Sequence, residues 1–274
     1  MAYVSSMLFS CLDLVSAVRE VASLGFRRVE LSHVHLERLD PSAERVASEA
    51  MKIREIGVDT SVAHLPADRL STRVSGSGGW RRCFERLRVF VEVLHRVLGA
   101  NVFVVHPLLP EPQPNATSYR YAKLSEAETR SLLRAMDSLA RDLGIHIAVE
   151  NRVERYAFGN PIGDLLSVID GLDRVGLCID VGHANASGMN PVEVARLARD
   201  RTIAYHLHDN DGSRDQHLLP YLGVIPWSEV IKELNPSAAL VFEVSCSSKP
   251  EVCRSYGRYL SMFIDVMSLQ RAER

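Results

Sequence analysis

The sequence predicts an α/β protein of the (β/α)8 TIM-barrel class, built as one domain over residues 1–274. Three observations carry the prediction. Short β-rich runs alternate with helical stretches along the whole chain, with no linker or composition break. A chain of 274 residues suits such a barrel, which commonly takes about 250 residues as a single domain. Six apolar runs each stop at a metal-ligand type of side chain: SVAH at His64, VFVVH at His106, IAVE at Glu150, LCID at Asp180, IAYH at His206 and LVFE at Glu243. The C-terminal ends of parallel barrel strands converge on one face, so six strand-end ligands would point at one place.

Each element follows from local pattern. YVSSMLF (3–9) reads as the first strand, and Asp13 caps a helix over 13–24 that Gly25 closes. FRRVELS (26–32) is the second strand, and a helix over 41–56 ends at Gly57. VDTSVAH (58–64) is the third strand, followed by the Gly/Ser-rich loop SGSGG (75–79). Phe84, Leu87, Val91, Leu94 and Leu98 then recur at helical spacing, which marks a core-facing stripe. ANVFVVH (100–106) is the fourth strand. A long Pro-rich loop (107–123) follows it, and loops of that length in compact domains are usually functional or mobile. The pattern continues with a helix over 124–143, a strand at 145–150, a helix at 161–172 and a strand at 175–180. Pro191 opens a helix over 191–199, a favoured position for proline. A strand at 202–208, a short helix at 227–234, a strand at 239–244 and a last helix at 250–269 complete eight pairs.

Composition narrows the function classes. A net charge of −2 argues against broad nonspecific nucleic-acid binding, though a local basic patch is compatible with it. No run of about 18 apolar residues exists to span a membrane. The N-terminal MAYVSSMLFSCLDL has no basic region or cleavage site, so no signal peptide is read. The five cysteines (Cys11, Cys83, Cys178, Cys246, Cys253) have no CxxC spacing, which predicts free thiols and a cytoplasmic location rather than a disulfide framework.

Mixed imidazole and carboxylate ligands suit zinc, manganese or related divalent ions. A carboxylate at the inner mouth of a barrel is costly unless paired or metal-bound, which makes Glu150 and Glu243 functional candidates. Asn151 follows Glu150 and is expected to bind substrate hydroxyls or brace the carboxylate. Asp180-Val-Gly-His183 sets a second ligand three residues past a strand end, with Gly182 expected to permit a tight turn. His206 and His208 would share a strand face. His206 is taken as the ligand and His208 as a substrate contact, with the exchange of the two as the alternative, and Asp209 as the group that orients the ligand. Asp215 and His217 add two ligand types in the loop beyond. His183 is a candidate for both metal and hydroxyl.

On VEL (29–31), VAHLP (62–66), VVHP (104–107), AVEN (148–151), CIDVGHANASG (178–188), HLHDNDGSRDQHLLPYLG (206–223) and FEVS (242–245), the whole chain resembles the xylose-isomerase-like barrel superfamily. That superfamily holds sugar isomerases and epimerases, and also endonuclease IV. The resemblance to the epimerases implies one divalent ion (manganese, cobalt, magnesium or zinc) on Glu150, Asp180, His206 and Glu243. The two glutamates would move the proton from opposite faces of a sugar. The resemblance to endonuclease IV implies up to three zinc ions, with His64, His106, His183, Asp215 and His217 completing a nine-residue set. Against that branch, YVSSMLFSCLDL replaces its His-Val-Ser opening, HLHDND places Asp211 where it has lysine, and its DNA-inserting loops have no counterpart.

The leading expectation is therefore a metal-dependent isomerase or epimerase of a small polyol or sugar, phosphorylated or not. The alternatives are a zinc-dependent nuclease acting at abasic DNA, a polyol dehydratase or lyase of the same superfamily, or a non-enzymatic sugar binder. A homo-oligomer is compatible with all of them. Loops 65–79, 107–123 and 152–161 would set the substrate. Arg120, Arg152 and Arg155 are possible phosphate contacts, although solvated loop arginines are the plainer reading.

Overall fold

A computed structural model describes residues 2–111, 118–154, 157–246 and 248–272. The strands are β1 (Ala2–Ser5), β2 (Val29–Glu30), β3 (Val62–His64), β4 (Arg73–Val74), β5 (Val102–Val105), β6 (Leu109–Pro110), β7 (His146–Glu150), β8 (Val175–Asp180), β9 (Thr202–Leu207) and β10 (Ala239–Phe242). The helices are α1 (Leu14–Ser23), α2 (His33–Leu36), α3 (Ala43–Arg54), α4 (Arg69–Thr72), α5 (Trp80–Leu98), α6 (Ser118–Leu143), α7 (Ile162–Val168), α8 (Val181–Ala186), α9 (Pro191–Ala198), α10 (Trp227–Glu233) and α11 (Pro250–Ala272).

Eight strands form one sheet in the order β2-β1-β10-β9-β8-β7-β5-β3, and neighbouring strands pair in parallel. Its two ends meet through the isolated parallel bridges Arg28–Asp59 and Leu31–Ala63. The His64 N–H donates to Leu31 O at 2.8 Å across that seam. The result is a nearly closed TIM barrel with helices between the strands, the class that the alternating pattern predicts. A separate two-stranded parallel ribbon, β4 with β6, ties the loop after β3 to the loop after β5.

The barrel interior explains where the site lies. One buried cluster is made of Tyr3, Val62, Val104, Ala148, Cys178, Ala204 and Val241, contributed by seven different strands. Side chains two residues apart on a strand share a face. Two positions beyond Val62, Val104, Ala148, Cys178, Ala204 and Val241 stand His64, His106, Glu150, Asp180, His206 and Glu243. The six strand-end ligands are therefore the next layer of the barrel, stacked toward its C-terminal mouth. A second, larger cluster lies between sheet and helices. In it α5 buries Leu87, Val91 and Leu94 fully and packs Phe84 and Leu98 partly, the stripe expected from their spacing.

The structure corrects several expectations. The first strand ends at Ser5, not residue 9, and Ser6–Phe9 turns into a 3-10 helix. Serine hydroxyls there compete for backbone groups: Ser5 Oγ accepts from Met7 N, and Ser6 Oγ accepts from Ser32 N at 2.9 Å. The second strand shortens to Val29–Glu30 for the same reason, because Ser32 caps α2 through its own hydroxyl. Cys246 and Cys253 form a disulfide rather than free thiols. The first turn of α11 brings their Cα atoms to 5.5 Å, a bridging distance. Cys11, Cys83 and Cys178 are free. Among the described residues no helix is long and apolar enough to cross a membrane.

Candidate active site and metal centre

The ligand-type residues converge on one cavity of about 160 Å³, lined among others by His64, His106, Glu150, His183, Asp215, His217 and Glu243. Glu150 is fully buried at its centre. Its Oε2 lies 3.0 Å from His64 Nε2 and 2.5 Å from His106 Nε2, and its Oε1 lies 2.6 Å from His206 Nδ1. The same His206 nitrogen stands 3.4 Å from Glu243 Oε2 and 3.9 Å from Asp180 Oδ2. Glu150, Asp180, His206 and Glu243 thus form one fully buried four-residue group. Beside it His183, His208, Asp215 and His217 form a second. There His183 Nε2 and His217 Nε2 approach Asp215 Oδ2 at 3.2 and 3.1 Å, and His208 Nε2 lies 3.0 Å from Asp180 Oδ1.

The backbone sets which nitrogen of each ring faces inward. His64 Nδ1 is 3.0 Å from Leu65 O, His183 Nδ1 is 2.9 Å from Asn151 O, and His217 Nδ1 is 2.7 Å from Glu243 O. A carbonyl only accepts, so Nδ1 carries the proton in each case. In the neutral rings Nε2 then presents a lone pair to a carboxylate oxygen. His206 is reversed: its Nε2 donates to Glu30 Oε1 at 2.9 Å and leaves Nδ1 for the Glu150 side. Lone pairs facing carboxylates call for a cation between them, either a proton or a metal ion. A mixed imidazole–carboxylate donor set with orienting groups behind the rings fits a divalent ion.

The electrostatics show the same demand. Burial opposes charge on His64, His183, His206 and His217, yet the surrounding carboxylates prevail. His183 and His206 are held well above the ordinary range, and His217 is raised to about 9. Burial lowers His106 to about 4. Glu150 is buried, but His206, His106 and His64 hold it well below the ordinary range. Burial raises Glu243 despite His206 and His217. Two glutamates on one cavity are thus driven in opposite directions.

Several roles expected from the sequence change. Asn151 is fully buried, and both ends of its amide are used on Asp180: Nδ2 donates to O at 3.0 Å and Oδ1 accepts from N at 2.7 Å. It locks β7 to β8 through one amide N–H and one oxygen lone pair. His208 is also fully buried, stacked on His217 with ring centroids 3.9 Å apart, and sits in the second ligand group. Asp209 does not orient His206. It accepts from Asn210 N, Ile225 N and Trp227 Nε1 at 2.9, 3.2 and 2.8 Å, stapling the loop after β9. Glu30 orients His206 instead. Gly182 serves contact rather than a turn: a Cβ there would lie 1.9 Å from His208 Cε1.

Two residues escape the sequence reading. Glu30 ends β2 after an apolar Val, the same strand-end signal as the other six, but β2 is only two residues long. His33 lines the cavity from the first position of α2. His217 also holds a left-handed backbone (φ 49°), strained for a non-glycine residue and a frequent companion of functional sites. Of the expected phosphate contacts, Arg152 pairs through Nε and Nη2 with Glu154 at 2.8 and 2.6 Å. Arg155 and the side chain of Arg120 lie outside the described residues, as does much of the Pro-rich loop.

Comparison with known proteins agrees with this architecture. The family model for xylose isomerase-like TIM barrels matches residues 18–253. The uncharacterized protein MJ1311 of Methanocaldococcus jannaschii is 29% identical over 238 residues, covering 84% of this chain and 78% of its own. Among solved structures, a D-tagatose 3-epimerase-like protein superposes with a TM-score of 0.79 at 23% identity over 98% of both chains. The D-allulose 3-epimerase from Methylomonas sp. gives 0.75 at 17% identity over 97% of both.

Proposed function

Because the chain belongs to the xylose isomerase-like TIM barrel family, we propose that it is a metal-dependent epimerase or isomerase of a small sugar or polyol, moving a proton between Glu150 and Glu243. One observation carries this reading: two buried glutamates face one small cavity with their proton affinities driven apart. Pairs of titratable groups pushed in opposite directions are the usual arrangement for acid–base chemistry.

Glu150, Asp180, His206 and Glu243 are the residues that would hold the ion. When bound, a divalent ion there supplies Lewis-acid polarisation of a substrate carbonyl and stabilises the charge that builds as the adjacent carbon loses its proton. The protein's own groups do the rest. The Glu150 carboxylate stays ionised and is the first candidate base. Glu243 is the more readily protonated and returns the proton. Removal by one glutamate and return by the other inverts the carbon. Return by the same group to the neighbouring carbon would interconvert aldose and ketose. The buried walls exclude water that would otherwise quench the intermediate.

The test is deuterium incorporation from D2O into a panel of ketoses and aldoses with manganese-loaded protein. Glu150→Gln and Glu243→Gln should each lower exchange by about 100-fold or more, the scale of a lost acid–base group. Absence of exchange across the panel from protein that holds its metal would overturn the reading.

A second reading rests on the His183–His208–Asp215–His217 group, which offers donors beyond those one ion needs. Two or three ions about 3.5–4 Å apart could stabilise both the attacking and leaving oxygens of a phosphodiester. A metal count per chain with anomalous scattering separates the two: one ion favours the sugar reading, three the nuclease.

A further inference from the structure

Glu243 presents its two oxygens to different surroundings. Oε2 faces His206 Nδ1 at 3.4 Å, on the side of the buried ligand group. Oε1 is buried and has no hydrogen-bond partner. His33 Nδ1 lies 3.7 Å from it and is also buried and without a hydrogen-bond partner. The two orphaned atoms face each other across a gap too long for a direct hydrogen bond. Both residues line the same cavity. Native proteins leave few buried polar atoms unsatisfied, and two that oppose each other mark a place where a third polar atom belongs.

The position of His33 is built, not incidental. Ser6 Oγ accepts from Ser32 N at 2.9 Å and pairs with His35 Nδ1 at 3.1 Å, pinning the turn between β2 and α2. His33 rides on that turn with its ring centroid 4.5 Å from His64 and 6.1 Å from His106. A metal ion is a poor fit for the gap. His64 is the third residue near it, but its Nε2 is engaged by Glu150 and its Nδ1 by Leu65 O. That leaves one imidazole nitrogen and one carboxylate oxygen, short of the three or four protein ligands usual for a bound ion. A hydroxyl fits the pair, since it can donate to the carboxylate while accepting from the ring N–H.

We infer that His33 Nδ1 and Glu243 Oε1 form a subsite for one hydroxyl of the substrate, with His33 as a further substrate-binding residue of the site. The inference rests on the proposed sugar chemistry and places that hydroxyl against Oε1, the oxygen of Glu243 on the His33 side. It makes His33 a determinant of which sugars are accepted, because the subsite demands a hydroxyl at one fixed distance from the reacting carbon.

Two measurements test it. The first is a high-resolution crystal structure of the manganese-loaded wild-type protein in glycerol. It should show an oxygen atom, from water or glycerol, within hydrogen-bond distance of both His33 Nδ1 and Glu243 Oε1. An empty gap, or an anomalous metal peak in it, overturns the subsite. The second compares binding of D-fructose, D-tagatose, D-allulose and xylitol by His33→Ala, His33→Gln and His33→Asn, all at equal manganese content. His33→Ala and His33→Gln should weaken binding by about tenfold, the scale of one lost hydrogen bond. His33→Asn, whose amide nitrogen can sit near the Nδ1 position, should recover part of it. Binding by His33→Ala within twofold of wild type overturns the proposal. If no sugar binds wild-type protein but the oxygen is present in the crystal, the subsite stands and the sugar reading falls.

Discussion

Replacing Glu30 should weaken metal binding without touching any residue proposed to hold the metal. Glu30 is fully buried, and its Oε1 accepts from His206 Nε2 at 2.9 Å. That contact keeps the proton on Nε2 and turns Nδ1 toward Glu150, Glu243 and Asp180. A hydrogen bond to a charged acceptor contributes about 1.5–3 kcal/mol, and a neutral one about 0.5–1.5. Glu30→Gln keeps an acceptor and loses the charge, a difference of about 1–1.5 kcal/mol. At about 1.4 kcal/mol per tenfold, manganese affinity should fall by about tenfold. Glu30→Ala loses the whole contact and should fall toward about 100-fold, the upper end for groups that orient a ligand histidine. A competition titration against a metal-sensitive dye reads both constants, with far-UV circular dichroism to show that the variants fold. Affinity within twofold of wild type in both variants would refute the tautomer argument, and with it the assignment of Nδ1 as the His206 ligand atom.

Other outcomes follow from the same geometry. Gly182→Ala puts a methyl 1.9 Å from His208 Cε1, so it should cost about 1–3 kcal/mol of stability as an overpacked position; His208→Ala in the same chain should relieve most of it, and additive losses in a double-mutant cycle would show that the ring is not what the glycine accommodates. Metal affinity should rise with pH, because His206, the imidazole of the four-residue group, is held well above its ordinary range by the carboxylates around it and must lose a proton to bind the ion; an affinity unchanged between pH 6 and 8 would contradict it. Full metal occupancy in the double variant Asp180→Asn, Glu243→Gln would remove the four-residue group as the site. Abasic duplex DNA should not be incised efficiently: Arg152, which lines the cavity, is paired bidentately with Glu154, whereas DNA affinity rests on cations that reach phosphates. Robust zinc-dependent incision, lost in Glu150→Gln and unaccompanied by sugar exchange, would select the nuclease reading.

Asp209, Asp211 and Asp215 look alike in a strand-end motif, as three carboxylates that would repel phosphate. In the folded chain only Asp215 lines the cavity. Asp209 is buried against Ile225 and Trp227, and Asp211 turns outward to Ser213. The difference is one of direction, which a list of residue types does not contain.

The fold was legible because strand–helix alternation recurs eight times and ligand-type residues end six of those strands, so the two signals reinforce one another. Boundaries were less so, since they depend on serine side chains such as Ser5 and Ser32 that bond the backbone and end a strand early. The inner ligand layer was legible for a physical reason: it continues the two-residue period of the barrel interior, from Val62 to His64 and from Val241 to Glu243.

What lay beyond sequence is the layer that aims those ligands. Its parts are the carbonyls of Leu65, Asn151 and Glu243, each fixing the proton on one imidazole. Carbonyls are common to every residue, so no motif marks them. Glu30 ends the shortest barrel strand and His33 opens the helix after it, where two residues of sheet give too little periodicity to register. The consequence reaches into the chemistry. If carbonyls alone decide that His64, His183 and His217 coordinate through Nε2, then substituting the ring removes a ligand, while moving the backbone of a neighbour turns one. Asn151 shows the coupling most directly. Its carbonyl orients His183 while its amide clamps the backbone of Asp180, so one residue holds members of both ligand groups in register.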